Sequence, residues 1–170
     1  FAKLGYEVIS LKRIQHGTIT LEGLKKGGTF LLNCSWDDAQ LDEKLPPNVK
    51  RHIAKHNIQF YTCDAVTIAR ELGLGGRTNT VLQAAFFKLA DVIPLEEAVD
   101  HMKKAIQNTY GKKGADIVAM NMAAVDAGIN NVHKVEVPAE WADAPDDAPR
   151  PKMVGRDDVQ TNYLNDILIP

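Results

Sequence analysis

Cysteine is scarce: Cys34 and Cys63 are the only two in 170 residues. With no Cys-x-x-Cys pair, the chain cannot by itself hold a four-cysteine zinc site or an ordinary iron–sulfur cluster. Two thiols outside any disulfide framework suit a reducing compartment, so the expected location is cytoplasmic, with both as small buried hydrophobes. Long apolar runs are also lacking. None approaches the ~20 residues that span a bilayer, and Val81-Leu82 and Ala84–Phe87 are broken by polar neighbours. Charge of one sign is lacking too: 20 Lys+Arg oppose 22 Asp+Glu, for a net charge of −2. That balance gives no electrostatic case for nucleic acid. No basic segment leads into an apolar one, as a secretory signal requires. The first residue is Phe rather than Met, so the chain reads as processed or as a piece of something longer.

The remaining composition, 45% apolar and 25% charged, is ordinary for a globular domain and excludes disorder throughout. The length fits one domain with an appendage. Thr29–Cys34 and Ile58–Cys63 are continuous runs of β-prone residues, the pattern of strands buried on both faces. Tyr6–Ile9 could form a short strand, Leu21–Lys26 a helical turn or two, and Val132–Val137 an edge strand. Ser35–Leu45 reads as a polar loop. Pro46-Pro47 suits a helix start, and that helix runs to about His56. Asp64 is a good N-cap for a helix from Ala65, which Gly73 ends. Asn79–Ala90 is apolar around most of its circumference, as a central helix would be. Leu95, Ala98, Val99, Met102, Ala105 and Ile106 give a clean amphipathic face for the helix opened by Pro94. A further helix spans about Lys113–Ala127, with Gly128 as its terminator. Beyond Pro138, four prolines and several acids leave no periodic apolar face, the mark of an extended arm. The alternation of strands and helices predicts an α/β class with a largely parallel sheet. The few strands visible lead to the expectation that N-terminal sequence is missing.

The most informative motif is Leu72–Thr80, a glycine-rich turn feeding a helix. Such a turn can bind phosphate through backbone N–H groups. It is neither a Walker A loop nor the dinucleotide fingerprint: no Gly-Lys-Ser/Thr follows, and Thr78 holds the third glycine position. Gly73 as a plain helix terminator is the competing reading. His52 and His56 lie one turn apart but lack an acidic third ligand, so they read as a solvent-facing pair. Ser35 has no nucleophile-elbow context. The lysine pairs at 103–104 and 112–113 suit solvated helix ends. Asn121 inside a helix needs a reason, either exposure or a pocket that uses its amide.

Several segments, taken in order, resemble one family. They are Leu21–Asn33, Leu45-Pro46 with Val49-Lys50-Arg51, Asn79-Thr80 with Gln83–Pro94, Tyr110–Gly114, and Met120-Asn121 with Ala124-Val125-Asp126. Together they resemble the central gamma domain of the pyruvate:ferredoxin (flavodoxin) oxidoreductases over about residues 21–137. The resemblance implies a three-layer α/β/α domain at 1–137, N-terminally incomplete, and an arm at 138–170 leading to another domain. It implies part of an enzyme that oxidatively decarboxylates pyruvate to acetyl-coenzyme A and passes electrons to ferredoxin or flavodoxin, as a homodimer. By the same resemblance this segment helps bind coenzyme A through Asn79, in Arg77-Thr78-Asn79-Thr80, and Asn121, in Met120-Asn121. Thiamine diphosphate, magnesium and the 4Fe-4S clusters would be held by other domains. The glycine-rich loop and lysine that open this domain in the family have no counterpart here, and residues 1–19 do not match what precedes Leu21. The alternative is a non-catalytic α/β interaction module whose glycine-rich turn is purely structural.

Overall fold

The computed structural model describes residues 6–10, 21 and 23–145. Strand β1 (Tyr6–Ser10) is followed by β2 (Thr29–Asn33) and helices α1 (Asp38–Lys44) and α2 (Pro47–Lys55). Next come β3 (Gln59–Cys63), α3 (Ala65–Glu71), α4 (Asn79–Ala90), α5 (Leu95–Tyr110) and α6 (Ala115–Asn130). The described chain closes with β4 (His133–Lys134) and a 3-10 helix at Ala139–Asp143. The strands lie in the order β1-β2-β3-β4. The first three are parallel, and β4 pairs antiparallel to β3.

Alternation along the strands sorts the core into two faces. Phe30, Leu32 and Phe60 join α1, α2 and the 3-10 segment on one side. Leu31, Tyr61 and Cys63 meet α3, α4 and α6 on the other. Helices therefore cover both faces, as a parallel sheet requires. Helix α5 packs outside α4 and α6 through Met102 and Ile106.

Four local outcomes differ from the sequence reading. The supposed loop at 35–45 contains α1, which a capping box secures: Asp37 accepts from the Gln40 backbone N–H, and the Gln40 side chain accepts from the Asp37 N–H. Its one fully buried side chain, Leu41, gives too little periodicity to see. Among the described residues, 21–28 form turns and not a helical segment. Gly128 does not end α6. It lies inside the helix, where a Cβ would sit 2.3 Å from the Val81 carbonyl oxygen of α4. Glycine here permits the close crossing of α4 and α6 rather than a stop. Finally, residues 138–145, read as part of the arm, are docked. Trp141 is 2% exposed in the first core cluster. Its Nε1 donates to Asp42 Oδ1 at 2.7 Å, and Lys50 Nζ donates to the same oxygen at 2.9 Å while lying 5.6 Å over the indole. Arg51 Nη1 donates to the carbonyls of Ala144 and Pro145 at 2.5 and 2.6 Å. Tyr163–Ile169, an apolar patch in the sequence, lies outside the described residues.

Candidate functional site

Asn79 sits where the glycine-rich turn becomes α4. Gly73 (φ +75°) reverses the chain after α3, and Gly75 (φ +61°) does so again two residues on. Both backbone angles are in the left-handed region that favours glycine. Thr78 is the N-cap of α4 but makes no side-chain cap bond, so the first N–H groups of this long helix are left for other partners. Asn79 is exposed there, and Arg77 beside it donates Nε to the Leu74 carbonyl at 3.1 Å.

From Asn79 a groove of about 380 Å³ runs between α4 and α5. Asn79, Thr80 and Gln83 form its polar wall; Phe87, Ile93, Met102 and Ile106 are among its apolar lining. His101, Thr109 and Tyr110 supply further polar groups from α5. No carboxylate lines it. Tyr110 lies 5.3 Å under Lys113 Nζ, which puts a cation beside that end of the groove. Gln83 is a lining residue the sequence reading passed over, although it follows Asn79 by one turn on the same helix face. Phe87, Met102 and Tyr110 were not identifiable without the α4–α5 pairing.

Asn121 occupies a different layer. It is 4% exposed within α6, and its Nδ2 donates to the Ile117 carbonyl one turn back at 2.8 Å. Val118 and Val125 flank it on one stripe of α6 and pack with Ala84, Met102 and Ile106. Met102 and Ile106 also line the groove, whereas Asn121 is not among its lining residues. The glycine-rich turn is nonetheless close: a Cβ on Gly73 would meet Met120 Sδ at 3.0 Å. The fold gathers both asparagines around the α4–α6 contact but presents only Asn79 to the groove.

The other sequence candidates do not assemble a site. His52 and His56 are half-buried and stacked, with ring centroids 4.1 Å apart, an arrangement that does not converge on a shared metal. Lys103 pairs with Asp126 at 2.8 Å and Lys104 with Asp100 at 2.6 Å. Cys34 and Cys63 are buried and free, and they belong to the two opposite core clusters. Burial pushes both thiols up, Cys63 to about 11, with the nearby Asp64 carboxylate adding to each shift. Two inert thiols on opposite faces do not fit an iron–sulfur cluster. Among the described residues no three His, Cys, Asp or Glu side chains could hold a metal ion. No helix among the described residues is long and apolar enough to cross a membrane.

Comparison with known proteins agrees with the order of segments seen in the sequence. Residues 9–131 match the family described as pyruvate ferredoxin/flavodoxin oxidoreductase, a match that begins upstream of Leu21. A pyruvate-flavodoxin oxidoreductase of Enterobacter agglomerans is 55% identical over 150 residues, which is 88% of this chain and 12% of that one. A pyruvate:ferredoxin oxidoreductase of Moorella thermoacetica is 51% identical over 128 residues, covering 75% of this chain and 11% of the relative. The chain thus spans about an eighth of the length of these relatives. The crystal structure of the pyruvate oxidoreductase subunit PORC from Thermotoga maritima shares the α/β fold, with TM-score 0.57 and 21% identity over 78% of this chain and 65% of that one. On the family match and these identities, the chain belongs to the pyruvate ferredoxin/flavodoxin oxidoreductase family.

Proposed function

We propose that the chain is one section of an enzyme that oxidises pyruvate to acetyl-coenzyme A and delivers the electrons to ferredoxin or flavodoxin, and that this section helps hold coenzyme A. Family membership across residues 9–131 is the observation that carries the first half. The α4–α5 groove supports the second: an apolar channel with amides on its wall and no carboxylate suits a pantetheine arm, which alternates apolar links with amides. Asn79 and Gln83 offer donors and acceptors to those amides. The uncapped N–H groups of α4 and exposed Arg77 favour an anionic group at that end. When bound, coenzyme A supplies the acyl-accepting thiol. The role of these residues is positional, raising the thiol's effective concentration at chemistry housed elsewhere. Asn121, buried on α6 beside Val118 and Val125 and outside the groove lining, is the second residue assigned to holding coenzyme A. The remainder of the enzyme would hold thiamine diphosphate, magnesium and the 4Fe-4S clusters, and the setting is a cytoplasmic homodimer.

Calorimetric titration of coenzyme A into the full-length enzyme tests the site. Asn79→Ala should weaken binding by about 1–3 kcal/mol, the cost of an unpaired polar partner. Asn121→Ala should act less. Unchanged affinity in both removes the site assignment and leaves the α/β interaction module as the better reading. The left-handed angles of Gly73 and Gly75 already account for that turn structurally.

A further inference from the structure

The α4–α5 groove has two unlike ends. Helices α4 and α5 are joined by only Asp91–Pro94, so they run antiparallel. The start of α4 (Asn79, Thr80) therefore lies beside the end of α5 (Thr109, Tyr110), and all four residues line the groove. From Asn79 to Phe87 the groove follows α4 for about 12 Å, at a rise of about 1.5 Å per residue. There Phe87 meets Ile93, Ala98 and His101, which line the other end.

Cations gather at the Asn79 end. Arg77 and Lys113 are both exposed there. Lys103 and Lys104 are engaged by Asp126 and Asp100. The Lys113 ammonium, by contrast, has no carboxylate partner among the described residues and sits over the Tyr110 ring, 5.3 Å from its centroid. A ring that lines the groove and carries a cation on its face holds that charge at the groove rim. The last carbonyls of α5 reach the same end, and Lys112 and Lys113 offset that negative dipole end. Asp116, in the first turn of α6, is the acid nearest to them in sequence. The other end is the reverse. Asp91 follows α4 directly, and Glu97 Oε1 lies 3.5 Å from His101 Nε2. Lys88, the cation in the last turn of α4, is turned to the Ile129 carbonyl at 2.8 Å. Phe87, Ile93 and Ala98 make the lining there apolar.

We propose that coenzyme A lies in the groove in one direction, with its diphosphate at the Asn79 end against Lys113 and Arg77 and its thiol at the Phe87–Ile93 end. The placement rests on the coenzyme A reading of the groove and adds to it a phosphate ligand, Lys113, and a residue that positions it, Tyr110. Diphosphate oxygens take an ammonium and a guanidinium as charge-assisted partners. The acids at the far end repel them. A thiol is only weakly polar, and an apolar pocket accepts it. The amides of the pantetheine arm fall between the two ends, beside Gln83.

Calorimetric titration of the full-length enzyme with coenzyme A, and with pantetheine, which keeps the arm and thiol but lacks the phosphates, tests the phosphate end. Lys113→Gln should weaken coenzyme A by about fivefold or more, as loss of a charge-assisted contact does, and leave pantetheine unchanged. Tyr110→Leu should follow it, whereas Tyr110→Phe keeps the ring face and should not. Equal losses for both ligands, or no loss of coenzyme A affinity at Lys113→Gln, overturn the assignment. Asn79→Ala separates the two readings: a loss there with none at Lys113→Gln overturns the placement of Lys113 alone, and no loss at either removes the groove reading with it. Direction is read by trapping. A cysteine is placed at one lining position at a time, His101→Cys or Thr109→Cys, and the enzyme is incubated without oxygen with the pyridyl mixed disulfide of coenzyme A. Attack of the new thiolate on the ligand sulfur forms a protein–coenzyme A disulfide and releases pyridinethione. Peptide mass mapping should find that disulfide at position 101 and not at 109. Labelling at 109, at both or at neither overturns the direction.

Discussion

Gly128→Ala sets two physical effects against each other. Alanine is the better helix former, and on propensity alone the change should stabilise α6 by about 0.5–1 kcal/mol. The packing says otherwise. The new Cβ would lie 2.3 Å from the Val81 carbonyl oxygen and 2.9 Å from Ala84 Cβ. The closest atom is backbone, so no rotamer change relieves the clash, and α4 and α6 must separate. Overpacking costs about 1–3 kcal/mol, and a clash with backbone falls in the upper part of that range, about 2–3 kcal/mol, so the net effect after the propensity gain is a loss of about 1–2 kcal/mol. At about 2–4 °C per kcal/mol for a chain of this size, Tm falls by roughly 2–8 °C. Urea unfolding followed by far-UV circular dichroism measures it. Gly76→Ala is the control, because a Cβ there meets nothing within 4 Å and its φ is unremarkable. A stabilised Gly128→Ala, or one that matches the control, would refute the close-crossing account.

Other outcomes follow from the same contacts. Trp141→Ala should cost about 3–5 kcal/mol, the range for a large core aromatic, and a urea midpoint like that of the unaltered chain would show the 3-10 segment to be dispensable. Hydrogen bonds from Lys50 and then Trp141 hold the Asp42 carboxyl below its ordinary 3.8. A folded value below the unfolded one means the stabilisation is present above pH 3.8 and lost as pH falls through the lower folded value. The stability difference between the unaltered chain and Asp42→Asn should therefore shrink on acidification toward pH 3, and a constant difference would contradict the pairing. Both thiols should resist a disulfide reagent at pH 8 until denaturant is added, since burial raises both and Cys63 to about 11; prompt labelling of the folded chain would contradict their burial.

Much of the fold was legible because a few residues carry strong local signals. The unbroken apolar runs of β2 and β3 announced buried parallel strands, Asp64 marked the start of α3, and the stepped face from Leu95 to Ile106 marked α5. The misreadings share a cause. Gly128 has the local look of a terminator, and its reason lies on another helix. Helix α1 hid because one buried leucine makes no pattern, although its capping box was readable. Trp141 sits in a proline-rich stretch without periodicity and is buried by partners almost a hundred positions away. At the candidate site, Asn79 could be read from its motif, whereas the groove floor depends on how α4 and α5 lie together, which no local pattern encodes.

The grip of Arg51 on the carbonyls of Ala144 and Pro145 anchors the last described residues to α2. Force applied from the carboxy-terminal side is delivered first to the guanidinium and then to the indole seated behind it, not to the sheet. Mechanical extension from that end should accordingly begin with a small early yield as these contacts part, while the parallel strands remain loaded in shear and give way later.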